Sequence, residues 1–77
     1  MLTPPLDAHG RPAQLTRCQR AVLRLLRDGL RPAEVAARLH DAESTVRMHI
    51  RMSNARLGTH SYHSSLLIAE QMGLLNG

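Results

Sequence analysis

The sequence predicts an all-α domain of four helices behind a flexible N-terminal arm. Its 77 residues are 43% apolar, yet they include no Trp, no Phe and a single Tyr. The core must therefore be built from Leu, Val, Ile, Met and Ala. Leu and Ala favour helix, whereas the β-branched and aromatic residues typical of sheets are scarce. Apolar residues also recur at helical spacing in segments that Gly and Pro separate, so a single small all-α domain is expected.

The N-terminal residues differ in character from the rest of the chain. Two adjacent prolines, a glycine and a third proline interrupt residues 1–13, which show no apolar period. We expect a flexible arm over residues 1–14 and one folded domain over residues 15–77. Because the arm is too short for a separate domain, the chain is either a naturally small protein or a piece of a longer one.

Charge and cysteine content narrow the class of protein. Ten Arg and no Lys stand against six acidic residues. The planar donor fork of Arg suits phosphates and guanine edges. A genome-wide preference for Arg over Lys would equally account for the missing Lys, so only the position of each Arg is informative. Cys18 is the single cysteine, which excludes a disulfide framework. With no apolar run near the roughly 20 residues of a membrane span and no signal segment, we expect a soluble cytoplasmic protein.

The first helix is predicted over residues 16–28. Thr16 followed three residues later by Gln19 has the form of a capping box, and Gly29 is a natural helix stop. An apolar face at helical spacing comprises Cys18, Val22, Leu25 and Leu26. The opposite face carries a basic stripe that we expect to be solvated, namely Arg17, Arg20, Arg24 and Arg27.

The second helix is short and is predicted over residues 32–40. Pro32 suits a first helical turn, and one apolar face is formed by Val35, Ala36 and Leu39. A brief polar break follows, in which Asp41 is an acceptable N-cap. The third helix is then predicted over residues 42–57 with Gly58 as its stop, and a fourth begins after the cap candidate Ser61 and continues to about residue 75.

A short helix, a tight turn and a longer basic helix form a helix-turn-helix pattern. On a helical wheel of residues 44–57, one face is mostly core and comprises Val46, Ile50, Ser53 and Leu57. The second face comprises Ser44, Arg47, Met48, Arg51 and Ala55. No acidic residue occurs between Ser44 and His60, which favours a major-groove helix over an ordinary solvated helix. Hydroxyls and N–H groups at the start of this helix suit a DNA phosphate.

The chain from Leu15 to Leu75 resembles the C-terminal DNA-binding domain of the LuxR family, also called GerE-like or NarL-type. The stretches that carry the resemblance are LTRCQRAVLRLLRDGL, AEVAARL, STVRMHI, ARLG and LLIAEQMGLL. The resemblance implies a four-helix LuxR-type helix-turn-helix bundle with its third helix in the major groove. It implies that base edges are read by Arg47, Met48 and Arg51, and that Thr45 and Arg56 contact the DNA backbone. Ser44 is added as a backbone contact because its hydroxyl stands at the start of the helix. We therefore expect a transcription regulator that binds double-stranded DNA in the cytoplasm and is associated with the nucleoid.

The chain departs from the family pattern at several positions. Asp41-Ala42 replaces a usual Ile-Ser, and Gln19 replaces a usual Glu. Ser53 stands where an aliphatic residue normally packs, a cost if its hydroxyl is buried without a partner. Pro32 and Ala33 replace an Asn-Lys pair, and Tyr62 stands where an Arg is frequent. An alternative is a protein-binding adaptor or antiactivator that has weak or no DNA affinity and acts on another transcription regulator. It is supported by the apolar fourth helix and by the departures at Asp41, Pro32, Ala33 and Tyr62. A fragment of a sigma-factor-like subunit is a weaker third possibility.

Helix four carries apolar residues around its whole circumference. A small monomer should not expose so much apolar surface, and the resemblance implies that this helix pairs protomers. The sequence therefore predicts a homodimer whose contact face comprises Leu67, Ile68, Met72 and Leu75. In the competing interpretation, one face packs on the core and the C-terminal leucines fold over it.

Catalytic and metal-binding patterns find little support. His60 and His63 are three residues apart, but a metal site needs further ligands, and Cys18 lies on a different helix. There is no nucleophile elbow, phosphate loop or pair of acids suited to a cleft. The sequence predicts a protein that is not an enzyme and that uses no cofactor or metal.

Overall fold

The computed structural model describes residues 14–75 and consists there of helices without strands. The helices are α1 (Arg17–Arg27), α2 (Pro32–Leu39), α3 (Glu43–Leu57) and α4 (Tyr62–Gln71). The predicted all-α, four-helix architecture is confirmed. The predicted arm lies outside the described residues except for Gln14, which precedes α1 in extended chain.

Helix α1 begins at the capping box that the sequence predicts. The Gln19 N–H donates to Thr16 Oγ1 at 3.1 Å, and the Thr16 N–H donates to Gln19 Oε1 at 3.0 Å. Gln19 is also buried, so a Glu here would place a carboxylate in the core, where burying a charge is costly. The departure from the family's Glu therefore keeps both capping bonds without that cost. A cap of this kind contributes about 1 kcal/mol to stability.

The apolar face predicted for α1 is partly wrong. Cys18 is exposed and Leu25 only half-buried, whereas Leu23 is fully buried. The buried stripe runs through Gln19, Val22, Leu23 and Leu26, which are spaced at three, one and three residues. Because this stripe begins at a polar residue, apolar periodicity alone places the buried face one position away from its true centre.

The core lies where α1, α2 and α4 pack around α3. Its apolar members are Val22, Leu23, Leu26, Val35, Ala36, Val46, Ile50, Leu57, Ala69 and Leu75. Leu39, predicted to lie on the apolar face of α2, is 37% exposed. It is the last residue of a helix of eight residues whose buried members are Val35 and Ala36.

The turn between α2 and α3 differs from the prediction by one residue at each side. Helix α2 ends at Leu39 because His40 adopts a left-handed conformation with φ 56°. The Asp41 N–H then donates to the carbonyl of Ala36 at 2.9 Å, which closes the turn. Asp41 therefore belongs to the turn and does not cap α3, contrary to prediction. Ala42 occupies the cap position, with no side-chain hydrogen bond.

Helix α4 ends at Gln71, earlier than predicted, and the chain then reverses direction. Gly73 has φ 71°, and the Leu74 N–H donates to the carbonyl of Ala69 at 2.9 Å, a bonding pattern that satisfies the last carbonyls of a helix. The reversal buries Leu75, which is 2% exposed. Leu75 is thus a core residue, and its assignment to a dimer face is wrong.

Two arginines of α1 hold the C-terminal part of the chain. The Arg24 Nε donates to the carbonyl of Leu75 at 3.0 Å, and Arg27 Nη1 lies 3.0 Å from Glu70 Oε1. The hydrogen bond to Glu70 is the main reason that the pKa of Arg27 is raised. The prediction of a solvated basic stripe is therefore wrong for two of its four members, because Arg24 and Arg27 bind the C-terminal segment.

Candidate nucleic-acid interface

Helix α3 packs against the other three helices along one side and leaves its other side open. Val46, Ile50, Ser53 and Leu57 are all buried, so the predicted core face is confirmed. The Ser53 Oγ donates to the carbonyl of His49 at 2.8 Å. Because this hydroxyl has a partner, the desolvation cost expected for a buried, unpaired Ser53 does not arise.

The open side of α3 forms a narrow ridge. We name as the α3 ridge the exposed residues Ser44, Arg47, Met48, Arg51 and Ala55. The three predicted base-reading side chains are therefore all accessible and lie within two turns of one helix. Thr45, on the flank of the ridge, is half-buried. A slim ridge of this kind is the shape that fits a major groove about 12 Å wide.

A shallow groove of about 270 Å³ runs beside the α3 ridge and is lined by Pro32, Arg47, Ile50, Arg51 and Tyr62. It brings the first residue of α2 and the first residue of α4 next to the two arginines. The Tyr62 ring stacks on His63 with centroids 4.2 Å apart. The sequence indicates only that Tyr62 stands at a position where the family frequently has an Arg. The structure shows instead a phenol, able to donate through its O–H, at the wall of this groove.

The charges of α3 are arranged unevenly. The Arg47 Nε donates to Glu43 Oε2 at 2.9 Å, across one helical turn. Among the described residues, ion pairs are made by Arg27 and Arg47 but not by Arg51. The acid-free stretch noted in the sequence begins one residue after Glu43. This pair was missed from the sequence because the helical wheel began at residue 44. Glu43 nevertheless lies within the helix predicted over residues 42–57 and four residues before Arg47.

Arg56 has a structural partner at the far end of α3. Its Nη1 donates to the carbonyl of Gln14 at 3.1 Å, which ties the start of the described chain to the end of α3. The side chain remains exposed, and this bond uses one of the five N–H groups of a guanidinium. A contact between Arg56 and a DNA phosphate stays a prediction.

A buried polar junction sets the position of α4 relative to α3. The Ser65 Oγ donates to Asn54 Oδ1 at 2.6 Å and lies 2.6 Å from Thr59 Oγ1. Ser65 is fully buried. The predicted cap at Ser61 is confirmed, because its Oγ accepts from the Ser64 N–H at 3.2 Å. Together these bonds hold the start of α4, and with it Tyr62, beside the α3 ridge.

Residues 14–75 offer neither a cluster of metal ligands nor a membrane span. No three side chains of His, Cys, Asp or Glu come together there in a way that could hold a metal ion. None of the helices in that range combines the length and the apolar character needed to cross a membrane.

Comparisons with known proteins agree on one kind of domain. Residues 13–69 match the family model GerE, described as bacterial regulatory proteins of the luxR family. A solved structure described as that of the transcription factor GerE is similar with a TM-score of 0.75 and 27% sequence identity. The match covers 78% of this chain and 90% of that chain. A comparison with curated proteins finds no match.

Proposed function

Because the chain belongs to the luxR family of bacterial regulatory proteins, we propose that it binds duplex DNA by placing the α3 ridge in the major groove. The domain is that of a DNA-binding transcription regulator. The family consists of regulators and not of enzymes. The observation that carries the proposal is the α3 ridge itself, two arginines and a methionine exposed on a helix whose opposite side is core.

The ridge residues have distinct proposed roles. Arg47 and Arg51 suit the O6 and N7 acceptors of guanine, and Met48 offers an apolar contact to a thymine methyl group. Ser44 and Thr45 stand in the first turn of α3, whose N-cap makes no side-chain hydrogen bond, so hydroxyls and N–H groups there suit a DNA phosphate. Arg56 is proposed to bind a second phosphate. Such a regulator would act in the cytoplasm, associated with the nucleoid.

The structure weakens part of the case for the alternative, an adaptor that keeps the fold without DNA affinity. That case depended on departures from the family pattern. Of these departures, Pro32 and Tyr62 line the groove beside the two arginines of the α3 ridge. The adaptor function is therefore kept as an outcome of the binding test and not as a second proposal.

The test is a salt-dependent binding titration on a duplex selected from a random pool. We expect the affinity to fall steeply between 50 and 200 mM salt, as phosphate contacts require. Arg51→Ala should weaken binding to the selected duplex by about tenfold, since a good base contact is worth about 1–3 kcal/mol, and should affect random duplexes much less. Fluorescence anisotropy measures both affinities.

Arg38→Ala is the matched control for this titration. It removes the same charge from an exposed position on α2, beside a surface pocket that no α3 residue lines. We expect it to leave the ratio of the two affinities unchanged. Failure of the unaltered protein to bind any duplex at 50 mM salt, with capture of a transcription regulator instead, would replace this proposal by the adaptor function.

Dimerisation is proposed through a smaller face of α4 than the sequence predicts. Leu67 is 62% exposed, whereas Ile68 and Met72 are half-buried against the core. Since Leu75 is buried, the remaining apolar patch is small, and we propose that protomers pair through it only when both are bound to DNA. The two α3 ridges would then read two half-sites.

Leu67→Asp tests this pairing. On a duplex with two half-sites it should abolish cooperative binding, while affinity for a single half-site stays within about twofold, because an exposed side chain does not support the fold. Electrophoretic mobility shifts distinguish the one- and two-protomer complexes. Ala37→Asp adds the same charge at an exposed position of α2 and should keep cooperativity. Unchanged cooperativity in Leu67→Asp would disprove the α4 interface.

A further inference from the structure

Glu43 is an acidic residue placed against the proposed DNA-reading surface. It is the first residue of α3 and the one acid within that helix. Its side chain is 45% exposed, and the Arg47 side chain with which it pairs is 60% exposed. An anion at this position repels the DNA phosphates and so lowers the affinity for DNA. Glu43 must therefore contribute something else to the protein if it is not simply unfavourable.

The contribution of Glu43 to the stability of the fold is too small to account for its presence. An exposed ion pair across one helical turn contributes little to stability, because water and salt screen it and both side chains lose freedom. A carboxylate in the first turn also favours the positive end of the helix dipole, but this too is a small surface effect. The geometry of the pair is more informative than its strength.

The pair engages Arg47 through Nε. A guanidinium carries five N–H groups, and Nε has one of them. The hydrogen bond from Nε to Glu43 therefore leaves four donors on the two Nη atoms for a ligand. Since a planar donor fork loses less entropy once it is already oriented, Glu43 prepares Arg47 for a bidentate contact.

Arg51 gives a second reason for this arrangement. Glu43, Arg47 and Arg51 stand four residues apart along one stripe of α3, and Arg47 and Arg51 line the same groove. Two like charges at this spacing repel each other. Glu43 lies on the N-terminal side of Arg47, so the ion pair draws the Arg47 guanidinium away from Arg51 and keeps two separate donor groups on the ridge.

We infer that Glu43 is a specificity-determining residue of the DNA interface, which positions Arg47 for a base edge and disfavours binding through phosphates alone. The inference rests on the proposed function, since it requires α3 to lie in the major groove. It has a signature that a purely structural role lacks. Loss of the carboxylate tightens binding to random DNA and at the same time lowers discrimination between DNA sequences.

The experiment measures the discrimination ratio, the dissociation constant for random duplex divided by that for the selected duplex. Glu43→Gln keeps the shape of the side chain and removes its charge. We expect binding to random duplex to tighten by about threefold at low salt and the ratio to fall by about tenfold. Arg47→Ala should lower the ratio by a similar factor.

The double variant Glu43→Gln/Arg47→Ala completes the cycle. Without Arg47 there is nothing for Glu43 to position, so the double variant should have the same ratio as Arg47→Ala alone. Urea unfolding midpoints and helical circular dichroism of all variants verify that exposed substitutions leave the fold intact, and Glu43→Ala provides a second variant if Glu43→Gln fails that check.

Three outcomes separate the inference from the function on which it rests. A ratio of one for the unaltered protein would refute the proposed function itself. A ratio lowered by Arg47→Ala but unchanged by Glu43→Gln would overturn the role of Glu43 and leave the function standing. An equal fall in the ratio on adding Glu43→Gln to Arg47→Ala would overturn the positioning of Arg47, because the effect would not pass through that residue.

Discussion

Leu23→Ala is expected to lower the free energy of unfolding by about 3–4 kcal/mol, the largest effect of any substitution considered for this domain. Leu23 is fully buried on α1, and alanine would leave a cavity in the core. A small domain has a total stability near the lower end of the usual range of about 5–15 kcal/mol. Much of the folded population would therefore be lost at physiological temperature. Urea unfolding followed by circular dichroism measures the change.

Leu25→Ala is the matched control on the same helix. It deletes the same atoms from a half-buried position, so we expect a cost of about 1 kcal/mol. The comparison is sensitive to the rotation of α1, because the sequence alone assigns Leu25 and not Leu23 to the apolar face. A larger cost for Leu25→Ala than for Leu23→Ala would contradict the burial of Leu23 and the partial exposure of Leu25.

Leu75→Ala is expected to cost about 2–3 kcal/mol, although the residue stands close to the C-terminus. Its side chain is buried in the core, and its carbonyl accepts from Arg24 Nε. Loss of the leucine would free the reversed segment after Gly73 and expose part of the core. Thermal unfolding at two protein concentrations checks the result, because a loss within one protomer gives a shift in Tm that does not depend on concentration.

Leu67→Ala is the control for the C-terminal segment. Leu67 is exposed on α4, and we expect its replacement to change stability by less than about 0.5 kcal/mol. The two leucines thus separate a core role from an interface role. A concentration-dependent loss of Tm in Leu75→Ala, with no loss in dilute protein, would return Leu75 to a dimer face and contradict its burial.

Features that depend on residues close together in the chain could be predicted from the sequence. The capping box joins Thr16 to Gln19, three residues apart, and the cap at Ser61 joins Ser64. Each depends on side chains and backbone within a single turn. The number of helices and the stops at Gly29 and Gly58 are local in the same sense, since a glycine readily adopts the left-handed conformation that ends a helix.

The sequence predicts which residues of α3 are buried and which are exposed, but not which residues of other helices lie beside the exposed ones. The core face of α3 follows from helical periodicity, because Val46, Ile50 and Leu57 repeat at the period of the helix. The exposure of Arg47 and Arg51 follows from the same wheel. Their surroundings do not, since the groove beside them is formed by Pro32 and Tyr62 from two other helices.

The turn before α3 shows how two local signals compete. Asp41 and Ala42 each stand where an N-cap could form, and composition favours the aspartate. The backbone decides otherwise, because the left-handed His40 directs the Asp41 N–H to the carbonyl of Ala36. Helix α3 then begins at Glu43, whose carboxylate lies in the first turn and accepts from Arg47 Nε.

By itself the sequence determined the fold class, the number of helices and the exposed ridge of α3, since helical periodicity and capping act within a few residues. Only the tertiary structure decided which stripe of α1 is buried and where the C-terminal leucines lie. The bonds that hold them join Arg24 to Leu75 and Arg27 to Glu70, which are separated by 51 and 43 residues. No local pattern contains such contacts, because they form only when α1 meets α4 and the segment that follows it.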